Sequence, residues 1–130
     1  MSRPLRPKKK LLIIDDNPGI LFIMQEALEL KGYDVSVAEK FAGIERVRKG
    51  APDLIYLDIS LIGQDGREIA RELKHDKRTK HVPIIILTAH PHASRLAREA
   101  GADSFLSKPF ELEHLWEMTA KYVLKRNGGK

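Results

Sequence analysis

The sequence predicts an α/β domain in which five parallel strands alternate with five helices, and the helices cover both faces of the sheet. Three observations carry that prediction. Short apolar runs recur at intervals of roughly 20–25 residues, the spacing of successive strand–helix units. Two of the runs, residues 54–57 (LIYL) and 84–87 (IIIL), are apolar throughout, as strands buried on both faces must be. Between the runs lie stretches with apolar residues at helical spacing, several of them closed by glycine.

Taken in order, residues 10–14 (KLLII) form the first strand and run into Asp15-Asp16. Asn17 can cap the next helix, with Pro18 at its first position, where a missing N–H costs nothing. Ile20, Leu21, Met24, Ala27, Leu28 and Leu30 give that helix its apolar stripe, and Gly32 ends it. Tyr33, Val35 and Val37 alternate as a second strand, residues 40–49 read as helical, and Gly50 stops them. Pro52 introduces the third strand, which ends at Asp58. A loop follows from Ile59 to Asp65, then a helix over 66–75. Pro83 opens the fourth strand, which ends at Thr88. Residues 92–100 form a helix closed by Gly101, and residues 103–106 a brief strand that leads into Lys108-Pro109. The last helix spans 111–125, with Leu112, Leu115, Thr119 and Tyr122 on one face, and Asn127-Gly128-Gly129 ends it.

The chain has 130 residues, enough for one domain with a real core. It has no cysteine, which excludes disulfides, thiolate metal sites and cysteine nucleophiles. Its apolar runs are far shorter than the ~20 residues of a membrane span, and no signal-peptide core follows the basic start. A soluble, cytoplasmic protein is expected, with no membrane association. The net charge is +5, but Arg3, Arg6, Lys8, Lys9 and Lys10 supply five positive charges; the remainder carries 18 basic and 18 acidic residues. The excess therefore sits in the first ten residues, around a basic arm expected over 1–8, rather than on a domain face, and no direct DNA binding is expected. The domain proper is expected over 9–126, with a tail at 127–130.

The strand ends carry the chemistry. In a parallel sheet with helices on both faces, ligands bind at the carboxyl ends of the strands, near the topological switch point. Here those ends present Asp15-Asp16, Asp58, Thr88 and Lys108. Converging carboxylates repel one another, and a hard divalent cation held by oxygen ligands removes the conflict; Mg2+ suits such a set better than zinc. A carboxylate, a divalent cation, a lysine and a hydroxyl together suit a transferring phosphoryl group.

The chain resembles the receiver domains of two-component response regulators, including the single-domain chemotaxis (CheY-like) type. The resemblance lies in LLIIDDNP, LIYLDISLIGQDG, IIILTA and FLSKPF, in that order, and covers about residues 9–126. It implies the flavodoxin-like strand order 2-1-3-4-5. It implies that Asp58 is the phosphoacceptor and that Asp16, Asp58 and the Ser60 carbonyl bind Mg2+, with Asp15 acting partly through water. Lys108 would pair with the acceptor and then with a phosphate oxygen, and Thr88 and Phe105 would form the switch. The Lys108–Pro109 bond would be cis, as in the family. The donor would be a sensor histidine kinase or a phosphotransfer protein. The output would be a protein effector at the surface of the fourth helix, fifth strand and fifth helix, and a phosphorylation-dependent homodimer is compatible with it.

Departures from the family pattern sharpen these expectations. Leu61-Ile62 stand where the family often has Met-Pro, so the loop after the acceptor is expected to be less fixed. Phe105 lacks the hydroxyl of a tyrosine. By the same resemblance, Ser60 and His90 would occupy positions that tune access of water to the phosphoryl group. His90-Pro91-His92 reads as a pair of exposed loop histidines rather than a metal site. Trp116 suits either a partner anchor or packing along the domain. Two rival readings stand beside the phospho-switch: an interaction module of the same fold without phosphorylation, and a phosphatase with an aspartyl nucleophile on the first strand, resembling the haloacid-dehalogenase type.

Overall fold

The computed structural model describes residues 7–125. Five strands, β1 (Lys10–Ile14), β2 (Asp34–Ala38), β3 (Leu54–Asp58), β4 (Ile84–Thr88) and β5 (Ser104–Ser107), alternate with helices α1 (Pro18–Leu30), α2 (Ile44–Gly50), α3 (Gly66–His75), α4 (Ala93–Ala100) and α5 (Leu112–Val123). The strands pair in parallel in the order β2-β1-β3-β4-β5, the flavodoxin-like arrangement. Residues 1–6 of the expected arm and the Asn127-Gly128-Gly129 ending lie outside the described residues.

Alternation along the strands divides the core in two. Leu11, Ile13, Leu54, Tyr56, Ile85, Leu87 and Leu106 face α1 and α5. Ile14, Ile55, Leu57, Ile84 and Ile86 face α2, α3 and α4. All five residues of both β3 and β4 are buried, which is why their sequences show no polar alternation. Behind β3, the Tyr56 hydroxyl lies 2.6 Å from Thr119 Oγ1 on α5. Thr119 donates its own proton to the Leu115 carbonyl (2.8 Å), so Tyr56 is the donor between the two.

Several expected elements shift. The second helix begins at Ile44 rather than residue 40, because Gly43 adopts φ +103 and a helix cannot run through that conformation. Only Val35 of the expected β2 stripe is buried; Val37 is exposed because β2 is an edge strand. Leu30 lies exposed at the last turn of α1. On α5 the buried stripe is Leu115, Thr119 and Val123, while Leu112 is exposed and Tyr122 only partly covered. The seven-residue α2 leaves a groove of about 580 Å³ beside β2, floored by Leu12, Ile14, Ala38, Phe41 and Val47. None of the strand-end acids lines it.

Candidate active site at the carboxyl edge of the sheet

The order β2-β1-β3 puts the switch point between β1 and β3. Register sets Ile14 beside Leu57, so the residues that follow, Asp15 and Asp58, emerge side by side. One carboxylate oxygen from each of Asp15, Asp16 and Asp58 lies within 4.8 Å of the others. On the far side of β3, Leu87 pairs with Asp58 and Thr88 with Ser107, and the Lys108 N–H donates to the Thr88 carbonyl (2.8 Å). The topology thus delivers all five chemical side chains to one edge. The Lys108–Pro109 bond is cis.

Each carboxylate is held differently. Asp15 is fully buried: its Oδ1 accepts the Asn17 N–H (2.9 Å) and its Oδ2 accepts Lys108 Nζ (2.8 Å). Asp58 is buried, with Oδ1 accepting the Ser60 N–H (3.1 Å) and Oδ2 3.8 Å from Lys108 Nζ. Asp16 is the more open of the three, and its Oδ2 accepts the Ile62 N–H (2.8 Å). Lys108 forms the expected ion pair with Asp58, at 3.8 Å, and a closer one with Asp15, at 2.8 Å, so it bridges the two buried carboxylates. Burial pushes the Asp58 carboxyl above its ordinary value. The charges of Asp15 and Asp16 add to the rise, against the Ser60 N–H and Lys108.

Three carboxylates against one ammonium leave this edge with an excess of negative charge and only oxygen ligands. That donor set fits a hard divalent cation of the Mg2+ kind. Thr88 is buried, and its Oγ1 accepts the His90 N–H (2.9 Å), which leaves its hydroxyl proton to donate elsewhere. Phe105 pairs with Ile86 on the neighbouring strand. It therefore shares a sheet face with Thr88, two residues on, and packs partly buried in the α4-side core.

The loop from Ile59 to Asp65 is better held than the absence of proline suggests. Leu61 is buried, and the Ile62 N–H is tied to Asp16. The Gln64 side chain accepts the Phe41 N–H (2.9 Å) and donates to the Phe41 carbonyl (3.0 Å). Gly66 closes the loop: a Cβ there would stand 2.5 Å from the Asp58 carbonyl oxygen and 2.5 Å from Ile59 Cα. Sequence reasoning missed the Ile62 N–H, the Gln64 tie and this close approach; only the Asp65-Gly66 pair hinted at a tight turn.

His90 and His92 are exposed, with the His92 N–H donating to His90 Nδ1 (3.0 Å). Among the described residues the acidic trio is the only carboxylate, histidine or cysteine group of metal-binding geometry. Trp116 packs along the domain. Its Nε1 donates to the Ala27 carbonyl (2.9 Å), and Lys31 Nζ lies 4.3 Å from its ring centroid.

This geometry defines a class: an α/β domain presenting an acidic, lysine-countered site at the carboxyl edge of its sheet. Comparison with known proteins gives the family. A family model described as response regulator receiver domain matches residues 11–120, and the chain belongs to that family. Such domains are components of two-component phosphorelays. The phosphate regulon transcriptional regulatory protein PhoB of Pseudomonas aeruginosa is 41% identical over 125 residues, which are 92% of this chain and 53% of that protein. Sporulation initiation phosphotransferase F of Bacillus subtilis is 32% identical over 123 residues, 92% of this chain and 98% of that one. The chain spans about half the length of the first curated relatives it matches. Among solved structures, the chemotaxis response regulator CheY4 of Vibrio cholerae superposes with a TM-score of 0.81 at 26% identity, covering 91% of this chain and 100% of that one. The receiver domain of a sensor histidine kinase from Pseudomonas aeruginosa does so at 0.75 and 26% identity (90% and 98%); that structure has a magnesium ion coordinated in its active site cleft. Among the described residues no helix is long and apolar enough to cross a membrane.

Proposed function

We propose that this chain is a phosphorylation switch that accepts a phosphoryl group on Asp58 from a phosphohistidine of a sensor histidine kinase or phosphotransfer protein. The observation that carries the reading is the gathering of Asp15, Asp16 and Asp58 within 4.8 Å, countered by Lys108. Asp16, Asp58 and the Ser60 carbonyl would hold Mg2+, with Asp15 behind them. The cation, when bound, neutralises charge on the phosphoryl oxygens. An Asp58 carboxylate oxygen attacks phosphorus, the P–N bond breaks, and the imidazole keeps the electron pair and takes a proton. Water later cleaves the acyl phosphate and releases inorganic phosphate, so the chain assists its own phosphorylation and dephosphorylation and is not a classical enzyme.

Lys108 swings from carboxylate to phosphoryl oxygen. The Thr88 hydroxyl donates to another oxygen, and Phe105, on the same sheet face, repacks into the space Thr88 leaves. The change is read on the α4-β5-α5 surface by a protein effector, or by a second copy of the chain. The rival with a nucleophile on the first strand is disfavoured, because Asp15 is fully buried with both oxygens engaged.

The test is beryllofluoride with Mg2+, an acyl-phosphate mimic, followed by amide NMR. The expected result is shifts at Thr88, Phe105 and Lys108 that Asp58→Asn abolishes. Unchanged spectra in the wild type would leave the pure interaction module as the better reading.

A further inference from the structure

The Ile59–Asp65 loop carries two of the contacts that shape the acidic site: the Ser60 N–H on Asp58 and the Ile62 N–H on Asp16. Its outer turn is otherwise weakly specified. Gly63 adopts φ +75, Ile62 is 84% exposed, and the Gln64 N–H meets the Leu61 carbonyl at a long 3.4 Å. A loop so built can rotate about its glycine unless something outside it fixes its course.

Gln64 supplies that outside support. Its carboxamide faces the Phe41 peptide in a reciprocal pair, accepting the N–H at 2.9 Å and donating to the carbonyl at 3.0 Å, as one peptide does to another across a strand pair. Phe41 lies in the 39–43 segment that links β2 to α2, where no helical partner satisfies its backbone. A primary amide is the side chain that offers both a donor and an acceptor at this reach. A carboxylate could only accept, and a thioether could do neither usefully.

We infer that Gln64 is a positioning residue: by bolting the β3–α3 loop to the β2–α2 segment it holds Ile62 against Asp16, and so sets the affinity of the acidic site for its divalent cation. This rests on the proposed reading of Asp15, Asp16 and Asp58 as a cation site. Side chains that orient metal ligands without touching the metal typically govern affinity by tenfold or more.

The test is Mg2+ titration of the full chain by amide NMR, on the wild type, Gln64→Met, Gln64→Glu and Asp58→Asn, with a melting curve for each. Gln64→Met keeps the length and loses both hydrogen bonds. It should bind Mg2+ about tenfold more weakly and shift the Ile62 amide resonance before any metal is added. Gln64→Glu, which can still accept the Phe41 N–H, should fall between it and the wild type. A melting-temperature loss with Mg2+ affinity within twofold of wild type and an unmoved Ile62 amide would overturn the inference and leave Gln64 a stabilising residue only. Should Gln64→Met fail to fold, the same two readouts on Gln64→Glu decide. Absence of Mg2+ binding in the wild type would instead strike the cation-site reading, and equal binding by Asp58→Asn would show that the metal lies elsewhere.

Discussion

At the scale of single residues, the site is a place where stability is sacrificed. Asp58 is buried beside two like charges, and its carboxyl is held above its ordinary value. A raised folded-state value means that the favourable contribution is present at low pH and is lost as pH rises through that value, so at neutral pH the ionised acid strains the metal-free fold. Asp58→Asn should therefore raise metal-free stability at neutral pH by about 1 kcal/mol, with the gain shrinking on acidification; urea unfolding at two pH values measures both. Mg2+ should raise the melting temperature of the wild type by mass action and leave that of Asp58→Asn nearly unchanged. The identity of these residues was legible from their order along the chain. Their pairing was not: whether Lys108 lies nearer to Asp15 or to Asp58 depends on burial, and burial is a property of the assembled edge.

At the scale of elements, the close joints lie behind and beside β3. Gly66→Ala would drive a methyl group into the backbone of Asp58 and Ile59, and should cost about 1–3 kcal/mol, read as a lowered urea midpoint. The α5–β3 joint should show an asymmetry. Thr119→Val strands the buried Tyr56 hydroxyl and should cost about 2 kcal/mol, whereas Tyr56→Phe removes the donor, leaves Thr119 bonded to Leu115, and should cost about 1 kcal/mol or less. Helix and strand boundaries were legible where the chain carried its own punctuation: Asn17-Pro18 opens α1, and Asp65-Gly66 opens α3. They were misread where a distant partner intervened. Residues 40–42 carry no helix breaker of their own, yet Gly43 turns away from helix and Phe41 gives its backbone to Gln64, 23 residues later. A glutamine in a polar loop looks like a solvated side chain, so no local pattern points to that contact.

At the scale of the whole molecule, the fold class was legible because β3 and β4 are sealed on both faces, which forces apolar runs, and those runs alternate with helical stretches as in a helix-covered parallel sheet. The site was legible for the same reason, since a parallel sheet brings every strand's carboxyl end to one edge. The periphery was least legible: β2 is an edge strand with Val37 in solvent, and Leu30 and Leu112 sit in apolar positions of their helices but outside the core. The Tyr56–Thr119 joint at the centre has one further consequence. Burial drives the Tyr56 phenol far above its ordinary value, beyond the range in which a free tyrosine ionises. In the unfolded chain the same group ionises near pH ~10, so its contribution is intact below that pH and is withdrawn as alkali favours the open chain. The protein thus contains its own optical alarm: Tyr56 should show no tyrosinate absorbance while the sheet is closed, and its signal in an alkaline titration should rise together with the loss of far-ultraviolet dichroism rather than before it.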